Sequence, residues 1–326
     1  MTKPIPPSAP LVEQVSRRVL LERAATLAMT GTLLATQASV VDAGPAPDLV
    51  AARGRIRQSI VQWCFGQFGE RWSVEQTCRV ARELGCHSVE LVTPEHFATL
   101  GRYGLTCAIA QIDMGSAPPF LRGFNNPEHW PRVIGATREA IDAASAFGAP
   151  NVVCFTGYST RNPEDPNSTH LSPEEGARNC VDGFRQIIAH AEEKGVTLCL
   201  EMLNSRDDSH PMKGHPGYQG DHVDYCIDII RRVGSPRLKL LFDVYHVQIM
   251  DGDLIRRIHQ CKDHIGHVHT AGNPGRGELD DRQEINYPAV MRTLVETGYS
   301  GYVGHEFIPT RDPRQGLRQA ITVCGV

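Results

Sequence analysis

From residue 56 onward, short apolar or β-branched runs alternate with longer amphipathic stretches. A short apolar run bounded by turn residues predicts a buried strand, and apolar residues at helical spacing predict a helix. The eight strand candidates cover residues 56–61, 88–92, 106–111, 151–155, 197–201, 238–243, 266–270 and 302–306. The helix candidates lie near 73–84, 95–102, 130–147, 173–194, 221–233, 251–261, 287–297 and 313–321.

Eight strand and helix alternations over about 270 residues are typical of a single-domain α/β protein with a (β/α)8 TIM barrel fold. Ser73 and the pair Ser172-Pro173 precede two of the helical stretches, where capping residues are expected. A doubly wound dinucleotide-binding sheet is disfavoured because no GxGxxG motif follows the first strand. A helix-rich insertion or a split domain is the alternative.

The first 43 residues are typical of a secretory signal peptide rather than of the barrel. Arg17 and Arg18 precede an uncharged, mildly apolar run at 24–41 that ends in small residues. The arginine pair resembles the twin-arginine export motif, which predicts the export machinery as a partner and a periplasmic location. Residues 44–53 are then a linker, and 54–326 the barrel. The alternatives are an amphipathic helix packed on the domain and an uncleaved membrane anchor.

Composition and charge exclude several classes of protein. With 41% hydrophobic and 21% charged residues, the chain has the composition of a globular protein, which disfavours the disordered, collagenous and multi-span membrane classes. Its 33 basic and 37 acidic residues give a net charge of −4, which disfavours a nucleic-acid partner. The ten cysteines are dispersed without a CxxC pair, mostly in apolar runs, and are predicted to be buried free thiols. The sequence is compatible with a monomer and with a homo-oligomer.

The carboxyl ends of the last four predicted strands carry the candidate chemistry. Glu201, Asp243, His269 and Glu306 stand at those ends. Barrel enzymes build their active sites at that edge of the barrel. One such residue alone would be interpreted as part of a salt bridge or a polar loop contact. Two Glu, one Asp and one His at one barrel mouth instead predict a site for one divalent metal ion, Mn²⁺, Mg²⁺ or Co²⁺, with Zn²⁺ as a further candidate.

Several motifs in the second half of the chain resemble one family. They are Asp243-Val244-Tyr245-His246, His267-Val268-His269, Asn273-Pro274-Gly275-Arg276, Glu284-Ile285-Asn286-Tyr287 and Gly304-His305-Glu306-Phe307. Together with Glu201 they resemble the xylose isomerase-like barrel superfamily, and within it the hydroxypyruvate isomerases. The resemblance covers about residues 56–312 and is closest in the second half.

This resemblance implies a role for each matching residue. The four residues at the strand ends would bind the metal, and the two glutamates among them, Glu201 and Glu306, would also transfer protons. His246 and Arg276 would hold the oxygens of a small polyhydroxy or oxo-acid substrate. The implied activity is the isomerisation of hydroxypyruvate to tartronate semialdehyde. Histidine at position 269 is commoner in the related ketose 3-epimerases, so epimerisation stays open.

The residue types themselves support proton transfer next to a carbonyl group. A carbon acid of this kind ionises at neutral pH only if the enediolate is stabilised, which a divalent metal ion does as a Lewis acid. Glu201 and Glu306 would remove and return the proton, while a cationic His246 or Arg276 neutralises the developing charge. One carboxylate that moves the proton between neighbouring carbons on one face gives an aldose–ketose isomerase, whereas two carboxylates on opposite faces of one carbon give an epimerase.

The sequence leaves rival functions open. A ketose 3-epimerase, or another keto-sugar isomerase or lyase, would use the same four ligands. A non-catalytic periplasmic barrel that binds sugars would have no need of the acid and base pair. A phosphodiester-cleaving endonuclease on the same barrel would need more histidine ligands for several zinc ions and a basic face, which the net charge of −4 disfavours.

Other residues near the strand ends carry secondary predictions. His267 is predicted to be an inward core residue or a partner of a metal ligand, and Glu90 a buried polar contact at the barrel mouth. The cationic segment 208–218 would close over the substrate as a lid or remain a solvated loop. Trp63 and Phe65 would either line the pocket or pack in the core.

Overall fold

The structure is a computed structural model, and it describes residues 55–165 and 167–326. The predicted signal peptide at 1–43 and the predicted linker at 44–53 lie outside the described residues, so both stay predictions. Within the described part of the chain, none of the helices is long and apolar enough to span a bilayer.

Parallel strands form one curled sheet of a TIM barrel. The seven strands are β1 (Arg57–Val61), β2 (Ser88–Glu90), β3 (Asn151–Phe155), β4 (Thr197–Glu201), β5 (Leu238–Asp243), β6 (Ile265–Thr270) and β7 (Tyr302–His305). Their order in the sheet is β2-β1-β7-β6-β5-β4-β3. Parallel neighbours need helical crossovers, which is the alternation that the sequence predicts. The strand candidates of the second half are confirmed to within one residue at each end.

The strand predicted at 106–111 is wrong as a regular strand. The segment forms only isolated parallel bridges, one to β2 and one to β3. Between the bridges, side chains form hydrogen bonds with the backbone of Ala108. Ser88 Oγ accepts from Ala108 N at 2.7 Å, and Asn151 Nδ2 donates to Ala108 O at 2.9 Å. Because these bonds replace ladder bonds, no continuous strand forms. The segment still joins β2 to β3 and closes the barrel, so the predicted (β/α)8 fold class is confirmed.

Helices pack around the sheet and connect its strands. The described residues contain α1 (Gln62–Gln67), α2 (Val74–Glu83), α3 (Phe97–Arg102), α4 (Trp130–Phe147), α5 (Pro173–Arg185), α6 (Ile188–Lys194), α7 (Val223–Val233), α8 (Val244–Met250), α9 (Leu254–Cys261), α10 (Tyr287–Glu296) and α11 (Pro313–Cys324). Short 3₁₀ turns precede α3 and α4 and follow α9.

Two features of the helices differ from the prediction. The single helix predicted at 173–194 is wrong, because the chain divides into α5 and α6. At the break, the backbone N–H groups of Gln186 and Ile187 donate hydrogen bonds to carbonyls three residues earlier instead of four. Ile187 is fully buried at this break. The sequence also does not predict α1 and α8, which follow β1 and β5 without a loop. Their apolar residues continue the apolar runs of the preceding strands, so hydrophobic periodicity does not distinguish these helices from the strands.

The predicted helix starts at Ser73 and Ser172 are confirmed. Ser73 Oγ accepts from Gln76 N at 3.2 Å, and Gln76 Oε1 accepts from Ser73 N at 2.9 Å, which forms a capping box. Ser172 Oγ accepts from Glu175 N at 3.2 Å. Each cap satisfies helix N–H groups that would otherwise lack partners. The caps thereby fix where α2 and α5 begin.

All ten cysteines are buried and free, which confirms the prediction of free thiols. Cys154 on β3 and Cys199 on β4 lie on neighbouring strands without a disulfide. Burial raises the pKa of the Cys86 thiol to about 12. Because the thiolate is the reactive form, such a cysteine is unreactive at neutral pH. The thiols therefore act as small apolar core residues.

Candidate active site

The four predicted ligands meet at the carboxyl ends of four adjacent strands. Glu201 ends β4, Asp243 ends β5, His269 is next to last in β6, and Glu306 follows β7. The register places Asp243 beside His269, and His269 beside Gly304. One ligand atom from each of the four residues lies within 4.8 Å of the others, and all four are buried. The strand ends in the sequence predict this convergence, and the role of the four residues as metal ligands stays a prediction.

Glu306 accepts hydrogen bonds on both carboxylate oxygens. Trp63 Nε1 donates to Oε1 at 2.8 Å, and Arg276 Nη2 donates to Oε2 at 2.7 Å. His269 Nδ1 lies 2.9 Å from Oε2. Burial raises the pKa of the Glu306 carboxyl, but the charges of His269 and Arg276 outweigh burial and hold that pKa well below its usual range. Glu306 is therefore ionised at neutral pH.

The other two carboxyls of the cluster hold protons more tightly. Burial raises the pKa of Asp243 to about 7, although Arg276 opposes this shift. Burial also raises the pKa of Glu201, and the charge of Glu306 adds to that effect. Three buried carboxyls therefore face too little positive charge to be ionised together. A divalent cation would supply the missing charge, so the donor set fits a metal ion.

His269 is held by Glu90. Glu90 Oε1 lies 3.0 Å from His269 Nε2 and 2.9 Å from His267 Nε2, and all three side chains are buried. Although burial raises the pKa of Glu90, the two imidazoles lower it to about 2. His269 Nδ1 faces Glu306, and it lies 3.6 Å from Glu201 Oε1. An imidazole held by a carboxylate on one nitrogen, with the other facing oxygen donors, fits a metal ligand.

The predictions for His267 and Glu90 agree with this geometry. Both are fully buried polar residues at the barrel mouth, and they bind each other. His267 lies on the same face of β6 as His269, because residues two apart on a strand share a face. Neither residue lines the cavity described below.

Arg276 places a positive charge inside the cluster. Besides its bond to Glu306, its guanidinium donates to Met212 O at 2.6 Å and lies 3.5 Å from Asp243 Oδ2. The ring of Trp63 lies 5.3 Å from the guanidinium carbon. Arg276 has a φ of 56°, a conformation that costs free energy for a residue with a side chain. The predicted contact of Arg276 with substrate oxygens stays a prediction, and the structure adds its bond to Glu306.

The expectation of a cationic His246 is wrong. The backbone N–H of Asn204 donates to His246 Nδ1 at 3.1 Å, so Nδ1 is an acceptor and the proton lies on Nε2. Burial and the charge of Arg276 lower the pKa of His246 well below its ordinary value. Nε2 has no hydrogen-bond partner among the described residues and lies 3.6 Å from Asp243 Oδ2. His246 is therefore a neutral donor with a free N–H group.

A cavity of about 140 Å³ opens beside the cluster. Pockets for drug-sized ligands have volumes of roughly 300–1,000 Å³, so this one suits a small molecule. Three site residues line it together with ten others: Glu201, Arg276 and Glu306, and Trp63, Gln67, Leu91, Gln111, Pro119, Phe120, Phe155, Leu203, Met212 and His215.

The segment 208–218 contributes two residues to the cavity wall. Met212 lines the cavity, and its carbonyl accepts the bond from Arg276. His215 also lines the cavity, is only 2% exposed, and packs with its ring centre 4.3 Å from that of Phe120. The segment is therefore packed against the site at these residues, and its closure over a substrate stays a prediction.

Two site residues have contacts that the sequence does not predict. Trp63 lines the cavity and binds Glu306, whereas Phe65 packs in the core 5.4 Å from the ring of Trp72. Asn204 orients His246 through its backbone and its side chain. The sequence feature that points to these contacts is the place of each residue after a strand. Trp63 follows the end of β1 by two residues, and Asn204 follows the end of β4 by three.

The family of this chain is decided by its sequence together with its barrel. Residues 78–324 match the profile of the family described as xylose isomerase-like TIM barrel. The chain belongs to this family. A relative from Cupriavidus necator, named a 2-oxo-tetronate isomerase, is 36% identical over 245 residues, which cover 72% of this chain and 86% of the relative. A putative hydroxypyruvate isomerase from Homo sapiens is 29% identical over 243 residues, which cover 74% of this chain and 78% of the relative.

A solved structure with the same fold is similar to this chain. The 3-keto-D-glucoside 4-epimerase of Escherichia coli has a TM-score of 0.64 and 20% identity, and the match covers 82% of this chain and 97% of the epimerase. At this identity the likeness shows the shared fold. The sequence relatives are named isomerases, and this member of the xylose isomerase-like family is an enzyme of the isomerase class.

Proposed function

We propose that the protein is a metal-dependent isomerase that acts on a small hydroxy-oxo acid or sugar through an enediolate. The reaction that we assign is the conversion of hydroxypyruvate to tartronate semialdehyde. The observation that carries this proposal is the buried set of three carboxyls and one imidazole, all within 4.8 Å, beside a cavity of about 140 Å³.

The metal would be held by Glu201, Asp243, His269 and Glu306. Oxygen-rich donor sets suit Mn²⁺, Mg²⁺ or Co²⁺, and the single imidazole also admits Zn²⁺. Bound there, the ion would act as a Lewis acid that stabilises negative charge on substrate oxygens.

Proton transfer is assigned to Glu201 and Glu306. Both carboxyls line the cavity, so both can contact a bound substrate. Their surroundings differ, because burial raises the pKa of Glu201 whereas His269 and Arg276 lower that of Glu306. Two carboxyls with unequal proton affinity suit an acid and a base. Glu306 would remove a proton from the hydroxymethyl carbon next to the carbonyl, and Glu201 would donate one to the former carbonyl carbon. The hydroxyl proton would pass to the former carbonyl oxygen, which completes the isomerisation.

Arg276 and His246 would stabilise the charge that develops on the substrate. The Arg276 guanidinium lines the cavity and carries the fixed positive charge. The free N–H of His246 is a neutral donor near Asp243. Donors that are already oriented stabilise an enediolate without reorganisation during the reaction.

A small hydroxy-oxo acid is the substrate class that the cavity and the relatives favour. The cavity volume of about 140 Å³ is small. The relatives from Cupriavidus necator and Homo sapiens are named for 2-oxo-tetronate and hydroxypyruvate, and both compounds are hydroxy-oxo acids.

The second candidate is a ketose 3-epimerase or another keto-sugar isomerase. Histidine at position 269 and the placement of two carboxyls on one cavity favour it, and the structural neighbour from Escherichia coli is named an epimerase. A non-catalytic sugar-binding barrel is disfavoured, because a binding protein gains nothing from two glutamates of unequal proton affinity beside the ligand.

Product analysis separates these candidates. Metal-loaded protein would be incubated with hydroxypyruvate, with 2-oxo-tetronate and with a panel of ketoses, and the products followed by NMR. Conversion of hydroxypyruvate at the highest kcat/KM supports the first assignment. Conversion of ketoses alone would replace it with the epimerase, and no conversion of any substrate would favour the binding protein.

We further propose that residues 1–43 direct export by the twin-arginine route, with release to the periplasm. Folding before export is compatible with the ten free buried thiols, which need a reducing compartment during folding. Replacement of Arg17 and Arg18 by lysine should retain the protein in the cytoplasm. A periplasmic protein in that variant would contradict the proposal, and wild-type protein in the membrane fraction would favour the anchor.

A further inference from the structure

Glu90 is a fully buried carboxylate that the proposed proton transfers do not use. It ends β2, and its Oε1 lies at hydrogen-bond distance from the imidazoles of His267 and His269. Its Oε2 has no hydrogen-bond partner among the described residues. Burial of a charge with one bare oxygen costs free energy. The contacts that offset this cost are the two imidazoles, and one of them belongs to a predicted metal ligand.

We propose that Glu90 is a positioning residue, whose carboxylate orients His269 so that Nδ1 faces the metal-binding carboxylates. The inference rests on the metal set of the proposed function. Since Nε2 lies 3.0 Å from Glu90 and Nδ1 lies 2.9 Å from Glu306, the ring spans the two carboxylates. Without a bound metal ion His269 carries a positive charge, and the ion would take the place of the Nδ1 proton. With the Nε2 proton held by Glu90, Nδ1 is then the nitrogen that offers a lone pair.

The backbone of β7 leaves room for this contact. A Cβ at Gly304 would lie 2.0 Å from Glu90 Oε1 and 2.9 Å from His269 Cδ2. Any side chain at Gly304 would push the carboxylate and the imidazole apart. Glycine at this strand position therefore reserves the space in which Glu90 and His269 meet.

His267 holds Glu90 from a second direction. Its Nε2 lies 2.9 Å from the same oxygen that binds His269. The two imidazoles are perpendicular, with ring centres 4.9 Å apart. Because hydrogen bonds to an ionised carboxylate are about twice as strong as neutral ones, two donors on one oxygen hold Glu90 in place. His267 thus acts on His269 through Glu90.

The test is the affinity of the full chain for Mn²⁺, measured by calorimetry for the wild type and for Glu90→Gln. Loss of a carboxylate behind a metal-binding histidine costs about 10- to 100-fold in affinity, so we expect the Kd to rise by that factor. Asp251→Asn is the matched control, because Asp251 is a buried carboxylate that binds His222 outside the cluster. Its Kd should equal that of the wild type. A wild-type Kd in Glu90→Gln would overturn the proposal.

A second measurement needs no variant at Glu90. Nitrogen-15 spectra of the wild-type protein loaded with Mg²⁺ should show His269 protonated on Nε2 and unprotonated on Nδ1, with the signals assigned by His269→Gln. A proton on Nδ1 would overturn the role of Glu90. Wild-type protein that binds neither Mn²⁺ nor Mg²⁺ would overturn the metal set itself, which distinguishes failure of the proposed function from failure at Glu90 alone.

Discussion

Arg276 Nη2 donates to Glu306 Oε2 at 2.7 Å, and both side chains are almost fully buried. The bond joins the guanidinium implied as a substrate ligand to the carboxylate proposed as the base. Removal of one partner from a buried ion pair leaves the other charge unpaired and costs about 3–5 kcal/mol. Arg276 therefore stabilises the ionised form of Glu306 together with His269, in addition to any contact with substrate.

Arg276→Lys keeps the charge but loses the planar fork that reaches both Glu306 and Met212 O. We expect kcat to fall about 10-fold or more at saturating Mn²⁺, and Arg276→Met to lower it by about 100-fold or more, because a methionine removes the buried positive charge that faces Glu306. Steady-state kinetics measure both. Arg257→Met is the control, since Arg257 pairs with Asp224 outside the site. A wild-type kcat in Arg276→Met would refute this role.

Trp63→Phe keeps an aromatic ring at the cavity wall and removes the N–H that binds Glu306 Oε1 at 2.8 Å. A hydrogen bond to a charged group contributes about 1.5–3 kcal/mol, so kcat should fall about 10-fold or more. The matched control is Trp130→Phe. It removes a hydrogen bond of 2.9 Å from the indole N–H to Phe124 O, and neither residue lines the cavity. Equal kinetic effects of the two variants would show that the Trp63 bond is structural only.

His215 is predicted to bind the substrate through a ring nitrogen. It lines the cavity, its Nδ1 has no hydrogen-bond partner among the described residues, and burial lowers its pKa to about 3, so it is neutral. His215→Phe keeps the packing on Phe120 and removes the nitrogens. A neutral hydrogen bond contributes about 0.5–1.5 kcal/mol, so KM should rise about 3- to 10-fold with little change in kcat. An unchanged KM would limit His215 to packing.

Metal binding should stabilise the fold. At a Mn²⁺ concentration of 100 times the Kd, the free energy of unfolding should rise by about 2.7 kcal/mol. For a domain of this size each kcal/mol corresponds to about 2–4 °C, so the Tm should rise by about 5–10 °C. Calorimetry before and after treatment with a chelator measures the shift. The variant Asp243→Asn, which lacks one predicted ligand, should show a smaller rise, and a full rise in that variant would argue against Asp243 as a ligand.

Much of the fold follows from local patterns in the sequence. The βα alternation predicts the barrel, because parallel strands require crossovers and short apolar runs of strand length are distinguishable from helical periodicity. The segment 106–111 has the same apolar pattern but forms only isolated bridges, since Ser88 and Asn151 occupy the backbone groups of Ala108. That competition depends on residues far away in the chain and leaves no local signal.

For the candidate site, the sequence predicts which residues converge. Glu201 and Asp243 end their strands, and the carboxyl ends of parallel strands meet at one edge, so their convergence follows from the strand pattern. Hydrogen-bond partners do not follow. The neutral state of His246 depends on the backbone N–H of Asn204, and the bond from Trp63 to Glu306 joins opposite ends of the chain. Such contacts arise only when the barrel closes.

Solvent exchange during turnover tests the central claim most directly. Metal-loaded protein would convert hydroxypyruvate in D₂O, and deuterium in the product would be measured by NMR. Removal and return of a proton by Glu306 and Glu201 predict deuterium at the carbon that gains the proton. Glu306→Gln at saturating Mn²⁺ should lower this exchange by about 100-fold or more. Conversion without any deuterium would show that the hydrogen moves between the two carbons without exchange with solvent, which excludes delivery of a separate proton by Glu201. Full exchange in a metal-loaded Glu306→Gln variant would exclude Glu306 as the base, and either result contradicts the proposed mechanism.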